Sequence, residues 1–294
     1  MNVSYVLITA ARNEETFIER TIQSVIDQTI LPKKWVIVSD GSTDNTDKIV
    51  KSYAKERDWI EFIRMQEHKE RQFAAKVQAF NAGYEKVKSL NYDIIGNLDA
   101  DISFGEDFFE YLLGKFHSMP ELGVAGTDYI EGVFHSFKNS FISVHHVNGQ
   151  CQLFRRQCFE DIGGYTPIKE GGIDWVAVTT ARMHGWKTHS FKERTYTHHH
   201  TMGRTHGNIL SARIHYGKKD YLCGGHPLWE IFRGVFQMTN KPYIIGGLLL
   251  LFGYFWSWIT RRERPVSNEL MNFHRQEQMQ RLKNLLFKGL KINR

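Results

Sequence analysis

Hydrophobic and polar positions follow two rhythms in the first hundred residues. Val3–Thr9 is a short run rich in strand-forming residues. After it, Phe17, Ile18, Thr21, Ile22, Val25 and Ile26 recur at helical spacing. Asn13 stands where it would cap that helix. Glu14 and Glu15 would then fall in its first turn, where the helix dipole favours acids. A second apolar run, Trp35–Val38, ends at Ser39-Asp40-Gly41. The pattern predicts a helix from about Asn45 and a strand at Ile60–Ile63. Phe73, Val77, Phe80, Tyr84 and Val87 step by 4, 3, 4 and 3 positions, which marks one buried helix face. Asp93–Leu98 reads as a buried strand that stops at Asp99-Ala100-Asp101.

Strand and helix therefore alternate, and the strands are almost continuously apolar. This predicts an α/β fold with a Rossmann-like, mostly parallel sheet flanked by helices. Ligands of such sheets bind at the carboxyl ends of the strands. Three polar clusters fall at those ends: Ala11-Arg12-Asn13-Glu14, Asp40-Gly41-Ser42-Thr43-Asp44 and Asp99-Ala100-Asp101. The second half is less regular. Gly149–Phe154 predicts a strand, Arg155–Ile162 a short helix and Asp174–His184 another helix, with Gly163-Gly164 and Gly171-Gly172 breaking the chain.

From Tyr216 onward the chain becomes aromatic and aliphatic, ending in Tyr243–Ile259, 17 residues without a charge. A spanning helix needs about 20 apolar residues, so this stretch sits at the lower limit. Lys241 precedes it and Arg261, Arg262 and Arg264 follow. A single span would put those arginines outside, against the positive-inside tendency. The expectation is a segment lying in or re-entering the interface, with both flanks in the cytosol.

Composition narrows the class. The 294 residues are 41% hydrophobic and 24% charged, which excludes a disordered chain, a collagen and a coiled coil. Three cysteines, at 151, 158 and 223, form no CxxC pair and speak against a disulfide framework or a cysteine zinc site. The reducing cytosol fits them best. Met1–Ala10 lacks a basic start, so no secretory signal is expected. The net charge of +6 sits in the tail: Arg261, Arg262, Arg264, Arg275, Arg281, Lys283, Lys288, Lys291 and Arg294 face only Glu263, Glu269 and Glu277. Such a tail suits an anionic surface. Beside the apolar segment, the expected surface is a membrane rather than a nucleic acid.

The chemistry concentrates at the three clusters. Asp99 and Asp101, two positions apart at a strand end, can jointly hold a hard divalent cation; Mg²⁺ is usually held by such carboxylates together with substrate phosphates. Asp40 can accept hydrogen bonds from a base or ribose, while Gly41 turns the chain and Ser42, Thr43 or Asp44 caps the next helix. Lys76 and Arg71 flank the helix before Asp99, and one of them is expected to reach a diphosphate or sugar. His198-His199-His200 and His206 invite a zinc reading. Consecutive strand residues point to opposite faces, however, which argues against one tetrahedral site.

Taken in order, Ala11-Arg12-Asn13-Glu14-Glu15, Asp40-Gly41-Ser42-Thr43-Asp44, the helix through Lys76 and Asn81-Ala82-Gly83, and Leu98-Asp99-Ala100-Asp101 resemble the family 2 glycosyltransferases. The likeness runs from Val3 to Trp186. It implies a GT-A fold, a nucleotide-sugar donor and a single inverting displacement. It implies that Asp40 and Glu14 lie near base and ribose, with Thr9, Ala11, Arg12 and Ser42 among the donor contacts. Asp99, Ala100 and Asp101 would meet the diphosphate, through Mg²⁺ or Mn²⁺ on Asp99 and Asp101. It also implies that His200 and Arg204 close over that diphosphate. The family's base lies in an acidic pair after a glycine-rich loop. Here only Asp174 of Gly172-Ile173-Asp174-Trp175 matches, and Glu170 is a weaker candidate.

The resemblance further implies a catalytic domain over 1–215, with a nucleotide-binding half (1–101) and an acceptor half (102–215). A helical membrane-associating region would follow over 216–294. Processive members carry Gln-x-x-Arg-Trp; the nearest string here is Gln278-Met279-Gln280-Arg281-Leu282. A single addition to a lipid-linked or membrane-bound glycan acceptor is therefore expected, at the cytoplasmic face of the cell membrane and in cell-surface polysaccharide or glycolipid synthesis. The donor would be a UDP-sugar or a GDP-sugar. A nucleotidyltransferase should carry a glycine-rich loop near its start, but residues 9–14 hold no glycine. A catalytically dead scaffold would not need Asp40, Asp99, Asp101 and Asp174. A dinucleotide oxidoreductase should show GxGxxG after Val3–Thr9, where none occurs.

Overall fold

The structure is a computed structural model that describes residues 3–67, 73–132, 134–135, 143–200 and 209–292. The chain divides into two compact units, Met1–Thr201 and Met202–Arg294. The expected junction at 215 falls inside a helix of the second unit.

The first unit opens with β1 (Tyr5–Ala11), α1 (Ile18–Ile26), β2 (Lys34–Ser39), α2 (Thr46–Glu56), β3 (Ile60–Arg64), α3 (Phe73–Val87) and β4 (Ile94–Leu98). Each element lies where the apolar pattern put it, within two residues at most ends. β5 (Ile102–Phe104), α4 (Phe108–Ser118), β6 (Leu122–Glu131) and β7 (Phe134–His135) follow. Then come β8 (Cys151–Arg155), α5 (Arg156–Asp161), α6 (Ile173–Met183) and β9 (Lys187–His198).

The sheet order is β3-β2-β1-β4-β8-β6-β9-β5, with β7 on β6. The expectation of a mostly parallel sheet needs correction. β1 to β4 pair in parallel, as does β6 with β9. β8, however, runs antiparallel to both β4 and β6, and β5 is antiparallel to β9. The sheet is mixed because β8 enters beside β4 and reverses the sense of pairing. Tyr5, Leu7, Trp35, Ile37 and Leu153 pack one face against Ile22, Val25, Phe108, Phe109, Leu112 and Phe116, all buried in one cluster. All three cysteines are buried and free.

The start of α1 is a second correction. Asn13 does not cap it; the helix begins at Ile18, and Phe17 at its N-cap supplies no side-chain bond. Asn13 instead takes a left-handed φ of 56°, which asparagine tolerates better than most residues. Its Oδ1 accepts from the Thr43 backbone N–H at 2.8 Å. Glu15 Oε2 accepts from the Asn45 N–H at 2.9 Å. None of the three capping candidates is the N-cap of α2, which is Asn45 and makes no side-chain capping bond; Asp44, one residue earlier, accepts from the Thr46 N–H at 2.9 Å. The loops after β1 and β2 are thus tied into one polar rim.

The second unit contains α7 (Ile209–Leu222), α8 (Pro227–Met238), α9 (Tyr243–Ile259) and α10 (Asn268–Ile292). Gly217 of α7 and Gly253 of α9 let the two backbones meet, at Leu250 and at Ile214. Among the described residues no helix is long and apolar enough to cross a membrane. α9 nevertheless leaves an apolar stripe uncovered: Ile244, Leu248, Phe252, Trp256 and Ile259 are each more than half exposed. Leu228, Ile231 and Val235 of α8 are exposed as well.

Candidate active site

β4 ends at Leu98, and the next three residues deliver both acids. The Asp99 backbone N–H bonds to the Gln150 carbonyl at 2.8 Å. Its carboxylate pairs with Lys76 Nζ from α3. Asp101 turns elsewhere. Its Oδ2 lies 3.1 Å from His198 Nε2 and 3.1 Å from His200 Nδ1. The i, i+2 alternation that argued against three histidines in one site is visible here: His198 and His200 share Asp101, while His199 bonds Ser103 Oγ at 2.9 Å.

The two acids are held at opposite protonation tendencies. Burial pushes Asp99 above the usual carboxylate range, more than the Lys76 ammonium pulls it down, and the Asp101 charge adds to the rise. Burial acts on Asp101 too. There the His198 hydrogen bond and charge outweigh it, with His200 and Lys76, and hold the group below its usual range.

Asp174 lies in the first turn of α6, after Gly172 at a left-handed φ of 90°. It shares a cavity of about 160 Å³ with Asp99, Lys76, Asn97 and Tyr165. His146 Nε2 is 4.0 Å from its carboxylate. One short backbone stretch fixes both sides of this cavity. Asn97 Nδ2 donates to the Gly149 carbonyl at 2.6 Å. Gln152 Nε2 donates to the Val147 carbonyl at 2.7 Å and reaches the Asp174 carbonyl at 3.4 Å. A Cβ on Gly149 would stand 2.9 Å from the Asp174 Cβ, so only glycine lets the turn before β8 approach this closely.

The remaining expected residues divide. Asp40 is buried beside β1, its N–H bonded to the Ala11 carbonyl at 2.8 Å and its carboxylate 3.8 Å from Arg12 Nη1. Ser42 accepts from the Asn13 N–H at 3.2 Å. A second, wider recess of about 650 Å³ is lined by Ser42, Thr43, Lys48, Lys51 and Arg64. Thr9 is not brought to either cavity: it is fully buried and its Oγ1 accepts from Trp35 Nε1 at 2.9 Å. Ala11 and Ala100 turn their methyl groups into the core. Glu14 lies beside His200 at 3.5 Å. Arg71 and Arg204 lie outside the described residues. Glu131 and His146 were not expected. They come from a strand and a loop whose sequence carries no local motif, and only the tertiary fold brings them to the acids.

Among the described residues one group has metal-ligand geometry: Glu14, Asp101 and His200 offer atoms within 4.8 Å of one another. Asp99, expected as the second metal carboxylate, is not in that group. Two carboxylates and one imidazole form a donor set that suits a divalent first-row cation.

Residues 6–140 match the family model described as glycosyl transferase family 2. The poly-beta-1,6-N-acetyl-D-glucosamine synthase of Staphylococcus epidermidis is 25% identical over 274 residues, covering 85% of this chain. The chain spans only 60% of that synthase's length. Two solved structures share the fold. Staphylococcus aureus TarS 1–349 in complex with UDP-GlcNAc aligns with a TM-score of 0.57 at 14% identity, covering 86% of this chain and 72% of that one. The mannosyltransferase PcManGT from Pyrobaculum calidifontis, in complex with GDP-Man and Mn²⁺, aligns at 0.56 and 17%, covering 87% and 74%. The three acidic clusters at the strand ends all fall within residues 6–140, the part of this chain that is similar to glycosyl transferase family 2.

Proposed function

We propose that the chain moves a sugar from a nucleoside diphosphate donor onto a glycan acceptor hydroxyl, inverting the anomeric centre. The observation that carries this reading is the shared cavity in which Asp174 faces Asp99 and Lys76. Asp40 and Ser42 hold the nucleoside end. Lys76 positions Asp99 so that its carboxylate can meet a sugar or ribose hydroxyl. Asp101 and His200, with Glu14, hold a divalent cation. Such a cation supplies Lewis-acid stabilisation of the charge on the departing diphosphate. Asp174 accepts the acceptor hydroxyl's proton as that oxygen attacks. A single displacement between two carboxyl-lined sides leaves the centre inverted, as in inverting hydrolases. The lack of Gln-x-x-Arg-Trp supports a single addition rather than a growing polymer.

The relatives suggest the first donor to test. UDP-GlcNAc with Mn²⁺ is expected to raise the melting temperature, because a ligand at a hundredfold excess over its Kd stabilises the native state by about 2.7 kcal/mol. GDP-mannose serves as the comparison. If neither nucleotide sugar shifts the transition, the donor assignment is wrong.

The acceptor reading includes a membrane surface, at its cytoplasmic face. It is supported by the exposed Ile244, Leu248, Phe252, Trp256 and Ile259 stripe and by exposed Arg261 and Arg262 just beyond it. Apolar side chains that insert to headgroup depth, followed by arginines, suit an anionic bilayer. Co-flotation with vesicles containing phosphatidylglycerol is the measurement. The wild type should float, and Phe252→Asp with Trp256→Asp should stay at the bottom. A wild type that dimerises through this stripe and ignores vesicles would refute the membrane reading.

A further inference from the structure

Three consecutive histidines end β9, and the structure gives each different surroundings. His198 is the one held at both ring nitrogens. Its Nδ1 lies 2.9 Å from Glu131 Oε2 and its Nε2 lies 3.1 Å from Asp101 Oδ2. It is also the most enclosed, with 7% of its side chain exposed; the Glu131 and Asp101 carboxylates are at 14% and 11%. Tyr129 meets the ring edge-on at 6.3 Å. Glu131 comes from the last position of β6 and His198 from the last position of β9, two strands paired in parallel. The clamp therefore stands on strand ends rather than on loops.

A ring engaged at both ends cannot turn about its own axis without losing one contact. It also has no ring nitrogen left to offer a metal. His200 differs: its Nδ1 faces both Asp101 and Glu14, at 3.1 and 3.5 Å. The chain of contacts therefore runs Glu131–His198–Asp101–His200–Glu14, and only its last three members have metal-ligand geometry.

We infer that His198 is a positioning residue for the cation site, and that Glu131, which holds its Nδ1, sets the orientation of Asp101 through it. This rests on the proposed reading of Asp101 and His200 as cation ligands. Outer partners that orient a metal-binding carboxylate or imidazole typically matter by 10–100-fold in affinity. The Glu131→Gln side chain keeps the volume and one acceptor oxygen but loses the ionised carboxylate, while Glu131→Asp keeps the carboxylate.

The test is Mn²⁺ binding to the full chain with UDP present, read from the free Mn²⁺ signal in electron paramagnetic resonance. Melting is followed in parallel. Glu131→Gln should weaken Mn²⁺ binding by about tenfold, with Glu131→Asp falling between it and the wild type. UDP binding in EDTA should not change, whereas loss of a purely structural contact would lower the melting temperature and leave Mn²⁺ affinity alone. His198→Gln, run beside it, removes the clamp from the other end and should behave as Glu131→Gln does. Wild-type Mn²⁺ affinity in both folded variants would overturn the inference while sparing the cation site. A wild type that takes up no Mn²⁺ would remove the cation site, and this inference with it.

Discussion

Asp174→Asn is expected to lower sugar transfer by roughly 10²–10⁴-fold, the span that a positioned general base contributes. The substitution preserves shape. Asn fits the same space against Gly149 and beside His146, so the first turn of α6 should stay in place. What it removes is a group able to take a proton. Donor binding draws on the other acids, so thermal stabilisation by UDP-GlcNAc with Mn²⁺ should persist in the variant. This separation of binding from turnover is the informative outcome. Transfer at the wild-type rate would dismiss Asp174 as the base and turn attention to Glu170, four residues upstream. Loss of donor stabilisation together with turnover would mean that Asp174 serves the donor instead.

Asp101→Asn is expected to reduce transfer by roughly 10²–10³-fold, the usual cost of losing one preorganised electrostatic contact to developing charge. Here the signature is reversed: Mn²⁺ binding and donor stabilisation should fall with turnover. Two histidines meet this one carboxylate oxygen, and an amide oxygen in its place accepts from them without the charge that strengthens both contacts. Melting of the unliganded variant should therefore drop as well. Asp99→Asn is the control. Its partner is Lys76, and it lies outside the metal-ligand group, so its Mn²⁺ affinity should stay closer to the wild type. If Asp99→Asn abolishes Mn²⁺ binding and Asp101→Asn does not, the cation has been assigned to the wrong acid.

The N-terminal half was legible because buried parallel strands are plain apolar runs and its helices carry one clear face. Trp35–Val38 and the Phe73–Val87 spacing are of that kind. β9 was not legible. Its Lys192-Glu193-Arg194 segment is charged and coincides with a register shift against β6, so neither alternation nor an apolar run marks it. Strand sense was hidden for a different reason: nothing in Cys151–Arg155 says that it will lie antiparallel between β4 and β6. At the site, Asp99, Asp101, Asp174 and Lys76 could be picked out because they follow strand ends or helix starts. Which acid faces which base could not. Asp99 with Lys76 and Asp101 with the histidines are tertiary facts. Asn13 misled because a capping residue and a left-handed turn residue have the same side chain.

The stretch Val147–Gln150 has a bearing on redesign. It accepts hydrogen bonds from Asn97 of β4 and from the Asp99 N–H just beyond it on one side, and backs directly onto Asp174 on the other. Altering it to admit a new acceptor would also disturb the donor, because the same peptide units serve as the ruler between them. Exchanges of acceptor specificity among relatives should therefore succeed when this segment and the opening turn of α6 travel as a single cassette, and fail when either is transplanted alone.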